Sequence, residues 1–247
     1  MQAKWVGMLL PVALVVSGCK TMDMGSAMNA GADLTKAATL SDADVAAMSD
    51  QACAHEDKRN RPASAAYQQR LDRLVAAHRG EDGLKLSFKA YQNPSVNAWA
   101  MANGCVRVYT GLMDLMNDDE LRGVIGHEIG HVKLGHSKNA MRTAYAASAA
   151  RQAAASTGNS AVAALSASQL GDLAEKLINA QFSQSQESDS DQYALGFMRK
   201  HRYKAEGLVS AFTKLSKLSG DAKSSMFDSH PGSADRAQRI QEQLNRK

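Results

Sequence analysis

Two histidines four residues apart with a glutamate between them, His127-Glu128-Ile129-Gly130-His131, are the residues of this 247-residue chain best suited to do chemistry. On an α-helix the two imidazoles stand one turn apart, offset by about 40°. Both can then reach one Zn²⁺, and Glu128 projects where it can hold a water beside the metal. The helix they need is legible in the neighbouring residues. Asn117 followed by Glu120 makes a cap for a helix starting near Asp118. Leu121, Val124, Ile125, Ile129 and Val132 fall on one apolar stripe, with the histidines on its flank and Glu128 near its middle. A carboxylate aimed at a core needs a compensating charge, which a metal would supply. The alternative is a histidine pair satisfied by ordinary hydrogen bonds, with Glu128 reaching solvent. Gly123, Gly126 and Gly130 mark another side of the helix. Each costs about 1 kcal/mol relative to alanine, so a neighbouring element is expected to approach closely there.

A catalytic zinc keeps one position for water and takes a third protein ligand. His136 is close in sequence, but the HExxHxxGxxH pattern would need glycine at Leu134 and histidine at Ser137, which disfavours that class. The better candidate lies in QFSQSQESDSDQYALGFMRK. As a helix, this segment places Glu187 and Asp191 at the head of a face continued by Ala194, Leu195 and Met198. Glu187 can then bind metal while Asp191, one turn on, orients a ligand histidine. An acidic helix start favoured by the macrodipole explains Asp189 but not this register. Further on, Ser229-His230-Pro231 precedes a last helix. Proline biases His230 toward an extended backbone from which it can reach a cleft, with Arg236 six positions later.

The remaining chain supplies elements to position these groups. With 44% hydrophobic and 22% charged residues it can bury a core as one domain over 41–247. The net charge of +4 is mild, and no basic stripe is interleaved with aromatics, so nucleic acid is not an expected partner. Ser41 caps a helix through about Glu56, and Pro62 opens a second through about His78. LKLSFKAY (84–91), a segment near 96–101 and another over 105–109 read as strands, the last two joined by a turn at Asn103-Gly104. The expected class is α+β and mostly helical, with a small antiparallel sheet beside the histidine helix. An open sheet edge there can hold an extended peptide by strand addition, or the hairpin can merely pack the core. The alanine-rich stretch 139–170 suits either a mobile lid or a packed helical hairpin. His55, His78 and His201 read as solvated.

Residues 1–18 read as an export signal, with Lys4 ahead of the apolar run WVGMLLPVALVV. Val16-Ser17-Gly18-Cys19 resembles a bacterial lipobox, with Cys19 as a lipidated N-terminus; the alternative is plain secretion after cleavage near Gly18. Lys20 resembles lipoproteins sent on to the outer membrane, and 19–40 suits a flexible tether. In an oxidising compartment Cys53 and Cys105 are expected to pair; two buried free thiols are the alternative.

Taken with HEIGH, ESDSD and HPGSADR, the chain resembles the HtpX-like zinc metallopeptidases related to CAAX prenyl proteases. The resemblance implies a gluzincin-type fold with one Zn²⁺ held by His127, His131 and Glu187. It implies Glu128 as general base and acid and Asp191 as the group orienting a ligand. His230 becomes a transition-state stabiliser or an inhibitory extra ligand, and Asn97 a substrate-binding residue on the sheet edge. Ser190 departs from the alanine usual between the two acids. The function so implied is endoproteolysis of unfolded or misfolded envelope proteins from a membrane anchor at Cys19. The rival readings are a lipoprotein chaperone with a gated site and a structural zinc protein. Oligomeric state is left open.

Overall fold

Ser41 opens the first helix, α1 (Asp42–Arg59), with a reciprocal cap. Its hydroxyl accepts from the Asp44 amide at 3.1 Å, and the Asp44 carboxylate accepts from the Ser41 amide at 3.0 Å. The computed structural model describes residues 40–155, 167–218 and 226–246. The export signal, Cys19, the tether up to residue 39 and the middle of the alanine-rich stretch (156–166) lie outside the described residues. Leu40, the last residue of the expected tether, is buried with Val45, Met48, Met141, Tyr145 and Leu173.

Helix α2 (Ala65–Val75) is shorter than expected at both ends. Pro62 does not open it. Residues 61–63 instead run extended along β1 (Ser87–Tyr91), the Ala63 amide donating to the Ala90 carbonyl and the Gln92 amide to the Arg61 carbonyl. Proline is tolerated beside a sheet edge because its missing N–H is not needed by the ladder, and this segment covers the outer side of β1. At its other end the helix stops before His78. That residue is buried, not solvated, and His201 is half-buried; both lie against the buried carboxylate of Glu81.

The three strands are ordered β1-β3-β2, with β2 at Ala98–Ala100 and β3 at Cys105–Tyr109. The expected antiparallel sheet is corrected to a mixed one: β2 and β3 form the antiparallel hairpin, but β1 runs parallel to β3, Ser87 opposite Cys105. The reason lies in β3. Every one of its residues is buried, so it takes the middle of the sheet, where both faces are covered. Val106 and Val108 face the main core with Leu121, Val124, Ile125 and Ile129. Cys105 and Tyr109 face Ala52, Cys53, Trp99 and Ala174. The hairpin turn needs Gly104: its φ is 83°, and a Cβ there would stand 2.2 Å from the Lys85 carbonyl oxygen.

Helix α1 is fastened to the back of this sheet in two ways. Cys53 and Cys105 form the expected disulfide, closing a loop with a sequence separation of 52. The chain-entropy model gives such a loop about 4 kcal/mol. Beside it Asp57 accepts from Arg107 Nε at 2.9 Å, from the Tyr91 hydroxyl at 2.7 Å and from Lys89. Burial alone would raise the Asp57 pKa, but Arg107, Lys89 and Tyr91 hold it down to about 2. A carboxylate depressed in the folded state stabilises fully above its unfolded pKa and ceases to as pH falls through the folded one. Asp57→Asn is therefore expected to cost about 1–2 kcal/mol at neutral pH, discounted for a partly open site. Wild type and variant should converge in stability between about pH 4 and pH 2, a comparison urea melts at each pH would make.

The short helix α3 (Thr110–Leu115) leads into α4 (Asp118–Lys133), which carries both histidines. Asn117 caps α4 as expected, its side chain accepting from the Glu120 amide at 3.0 Å while Glu120 accepts from the Asn117 amide. Leu121, Val124, Ile125, Ile129 and Val132 are buried. The glycine side of α4 meets two further helices. A Cβ at Gly126 would lie 2.8 Å from Phe197, and one at Gly130 would lie 3.2 Å from the Ser190 backbone, both in α7 (Gln184–Lys200). One at Gly123 would touch Leu208 in α8 (Glu206–Ser216). Helix α5 (His136–Ala155) packs through Met141, Ala144 and Tyr145 against α1 and against α6 (Ala167–Ile178), as the packed reading of the alanine-rich stretch expects for its described part. The chain closes with the single turn α9 (Met226–Ser229) and with α10 (Ser233–Asn245). Among the described residues no helix is long and apolar enough to cross a membrane.

Candidate metal centre

Helix α4 supplies His127, Glu128 and His131, α7 supplies Glu187 and Asp191, the turn before α10 supplies His230, and α10 itself supplies Arg236. The close α4–α7 approach across glycine brings the first two groups together. His127 Nε2 lies 3.0 Å from His131 Nε2 and 3.2 Å from His230 Nδ1. Glu187 Oε1 lies 3.3 Å from His131 Nε2 and 2.9 Å from His230 Nδ1. All four residues are almost fully buried. His127 turns its other nitrogen, Nδ1, to Asp191 Oδ1 at 3.0 Å. That carboxylate can only accept, so Nδ1 carries the proton and Nε2 offers its lone pair to the cluster.

Converging lone pairs and a carboxylate in a buried site fit a cation. Among the described residues Glu128, Glu187 and Asp191 face one guanidinium, Arg236, and the imidazole of His230, which Glu187 and Glu128 push toward its charged form against its burial, so the acids outnumber the cations that face them. Glu128 Oε1 is buried with no hydrogen-bond partner among the described residues. Burial pushes the Glu128 pKa up to about 7, helped by Glu187 and opposed by His230 and Arg236. Burial also holds His127 and His131 below the usual imidazole range, keeping them neutral, the form that ligates. Burial alone would raise Glu187, but His230 at 2.9 Å, foremost among its neighbours, holds it well below the usual carboxylate range.

His136, set aside from sequence, stands behind the cluster. Its Nδ1 lies 3.2 Å from His131 Nδ1 and from the Ser190 hydroxyl, so the serine in place of alanine gains a buried polar partner. Asn97 is buried immediately before β2, its Oδ1 without a hydrogen-bond partner among the described residues. Two residues acquire significance only in three dimensions. Arg236 donates to both oxygens of Asp191, at 2.9 and 2.7 Å, and its Nη1 lies 2.5 Å from Glu187 Oε2. Its guanidinium also stacks 4.1 Å from the Phe212 ring. Its place in HPGSADR was the one available signal. Phe182 stacks on the His131 ring at 3.9 Å and covers it from the α5 side; nothing in the sequence around it marks that role.

An HExxH helix packed on a second helix bearing a glutamate and its partner aspartate defines a metallopeptidase site. A family model, Peptidase family M48, matches residues 63–244, and the chain belongs to that family. It is 46% identical to Metalloprotease LoiP of Escherichia coli over 239 residues, 96% of this chain and 94% of that protein. It is likewise 46% identical to Metalloprotease YcaL of the same organism over 238 residues, 94% and 93% of the two chains. Protease HtpX of Acinetobacter baylyi is similar over a shorter stretch, 51% identical across 49 residues.

Proposed function

We propose that this metallopeptidase is a zinc-dependent endopeptidase, lipid-anchored at Cys19 to the periplasmic side of the outer membrane, that degrades misfolded or exposed envelope proteins. The observation that carries the activity is the buried convergence of His127, His131 and Glu187 beside Glu128. Imidazole and carboxylate donors suit zinc, which when bound polarises a scissile carbonyl and acidifies the attacking water. Glu128 takes the proton of that water and hands it to the leaving amine, a task for which a pKa near neutrality is suited. Asp191 and Arg236 hold His127 in one tautomer and orientation. Because residues 61–63 cover the β1 edge, β2 is the edge left for an extended substrate, with Asn97 at its start. The lipobox-like Val16–Cys19 and the Cys53–Cys105 disulfide support an exported, oxidising location.

His230 favours a second reading alongside the first. Its Nδ1 sits among the ligand atoms and its Nε2 lies 3.4 Å from Glu128 Oε1, so it can close the site as a fourth ligand or serve the developing oxyanion. Elemental analysis and casein cleavage on the same purified preparation test the main reading: about one zinc per chain with chelator-sensitive cleavage supports it, and a folded, metal-replete protein without zinc refutes it. His230→Ala separates the two roles. Faster cleavage marks a gate, as a chaperone-like protein with repressed proteolysis requires; a loss of about 10²-fold or more marks transition-state stabilisation.

A further inference from the structure

At the C-terminal end of α7, opposite the end that carries Glu187, three groups meet. His78 follows α2, Glu81 lies in the 3-10 turn Glu81–Gly83, and His201 caps the C-terminus of α7. Glu81 Oε2 lies 3.1 Å from His78 Nδ1 and 2.9 Å from His201 Nε2. Glu81 Oε1 is held by the Lys200 ammonium at 2.6 Å. The nitrogen of His78 that faces away, Nε2, lies 2.8 Å from the Tyr203 hydroxyl.

This arrangement repeats the construction of the main centre. There too one carboxylate oxygen faces two imidazoles, Glu187 Oε1 between His131 and His230, while the other is held by a cation, buried Arg236 there and exposed Lys200 here. There too the outward nitrogen of a ligand histidine is fixed by an oxygen, Asp191 for His127 and Tyr203 for His78. Outer partners of that kind set the tautomer and raise the basicity of metal-ligating histidines. His78 and Glu81 are buried, and the His201 side chain is 23% exposed, so the cluster meets solvent on the His201 side. Two imidazoles and one carboxylate are a donor set for zinc rather than for calcium or magnesium.

We propose that His78, Glu81 and His201 form a second, exchangeable zinc site that clips the Glu81 turn to the end of α7. Helix α7 carries Glu187 and Asp191 at its other end, so the clip braces the element that delivers the third ligand of the main centre. The neighbouring positive charge of Lys200 makes it the weaker of the two sites.

The test is an equilibrium zinc titration of the full chain against a competing fluorescent chelator, with cobalt substitution as a spectroscopic check on nitrogen ligation. The wild type is expected to take two equivalents and His201→Gln, at a partly exposed position, only the tighter one. Tyr203→Phe should weaken the second equivalent by about 10–100-fold without touching the first. Zinc beyond the first equivalent should raise the melting temperature of the wild type and leave that of His201→Gln unmoved. Equal stoichiometry in wild type and His201→Gln, whether one or two, would overturn the proposal and leave the cluster as a hydrogen-bonded strut. Loss of the first equivalent would instead bear on His127, His131 and Glu187, so the two assignments fail separately.

Discussion

Arg236→Ala is expected to dismantle the metal centre from behind. The side chain is buried, donates to both Asp191 oxygens and pairs with Glu187 Oε2. Its removal leaves two carboxylates in a closed site without the guanidinium that, among the described residues, is the only one to face both, and breaking a buried pair of this kind costs about 3–5 kcal/mol. A further fraction comes from the lost stack on Phe212. Of a typical domain stability of about 5–15 kcal/mol this is a large share. Calorimetry on apo and zinc-loaded protein should show a marked fall in melting temperature, larger for the apoprotein, because bound zinc can itself offset part of the exposed negative charge. Arg236→Lys should rescue little, since a point charge cannot span both Asp191 oxygens as the planar fork does. A variant as stable as wild type in both states would show that the Asp191 and Glu187 carboxylates need no such partner.

The second large effect belongs to Glu128. Glu128→Gln preserves shape and removes the proton acceptor, so cleavage of an unfolded protein should fall by about 10²–10⁴-fold. Metal content and melting temperature should hold, because Glu128 lies outside the ligand trio and Oε1 makes no hydrogen bond among the described residues that the amide would lose. The pH profile supplies an independent check. A base must be ionised to act, so wild-type activity should fall as pH drops through the Glu128 pKa. Burial sets that value at about 7 in the apoprotein, and a bound cation lowers it, placing the acid limb below 7. Residual cleavage within a few fold of wild type would remove Glu128 from the mechanism.

Much of this site was legible in the chain because its local geometry is helical. The i, i+4 spacing of His127 and His131, the Asn117 cap and the apolar stripe all act within one helix, where 3.6 residues per turn decides which side chains share a face. The same holds for Glu187 and Asp191, whose register with Ala194 and Leu195 placed them on the buried side of α7. The three glycines announced a close neighbour without naming it. Only the tertiary structure identified Phe197, Ser190 and Leu208 as the groups filling that space.

Other features had no local signature. Whether β1 runs parallel or antiparallel to β3 depends on which strand takes the doubly covered middle of the sheet, and alternation within one strand carries no information about its neighbour. His78 reads as a solvated helix residue and His201 as solvent-facing, because the burial of both comes from folding: His78 has Glu81 three residues away, but His201 meets that carboxylate only across the fold. Arg236 was visible as a charge near a His-Pro pair, but its worth comes from burial among three carboxylates delivered by two other helices. The sequence by itself determined which residues could ligate, accept a proton and form the helices that hold them, because these are properties of spacing within one element. The tertiary structure decided how the charges balance, since that balance is a sum over groups which only packing brings together.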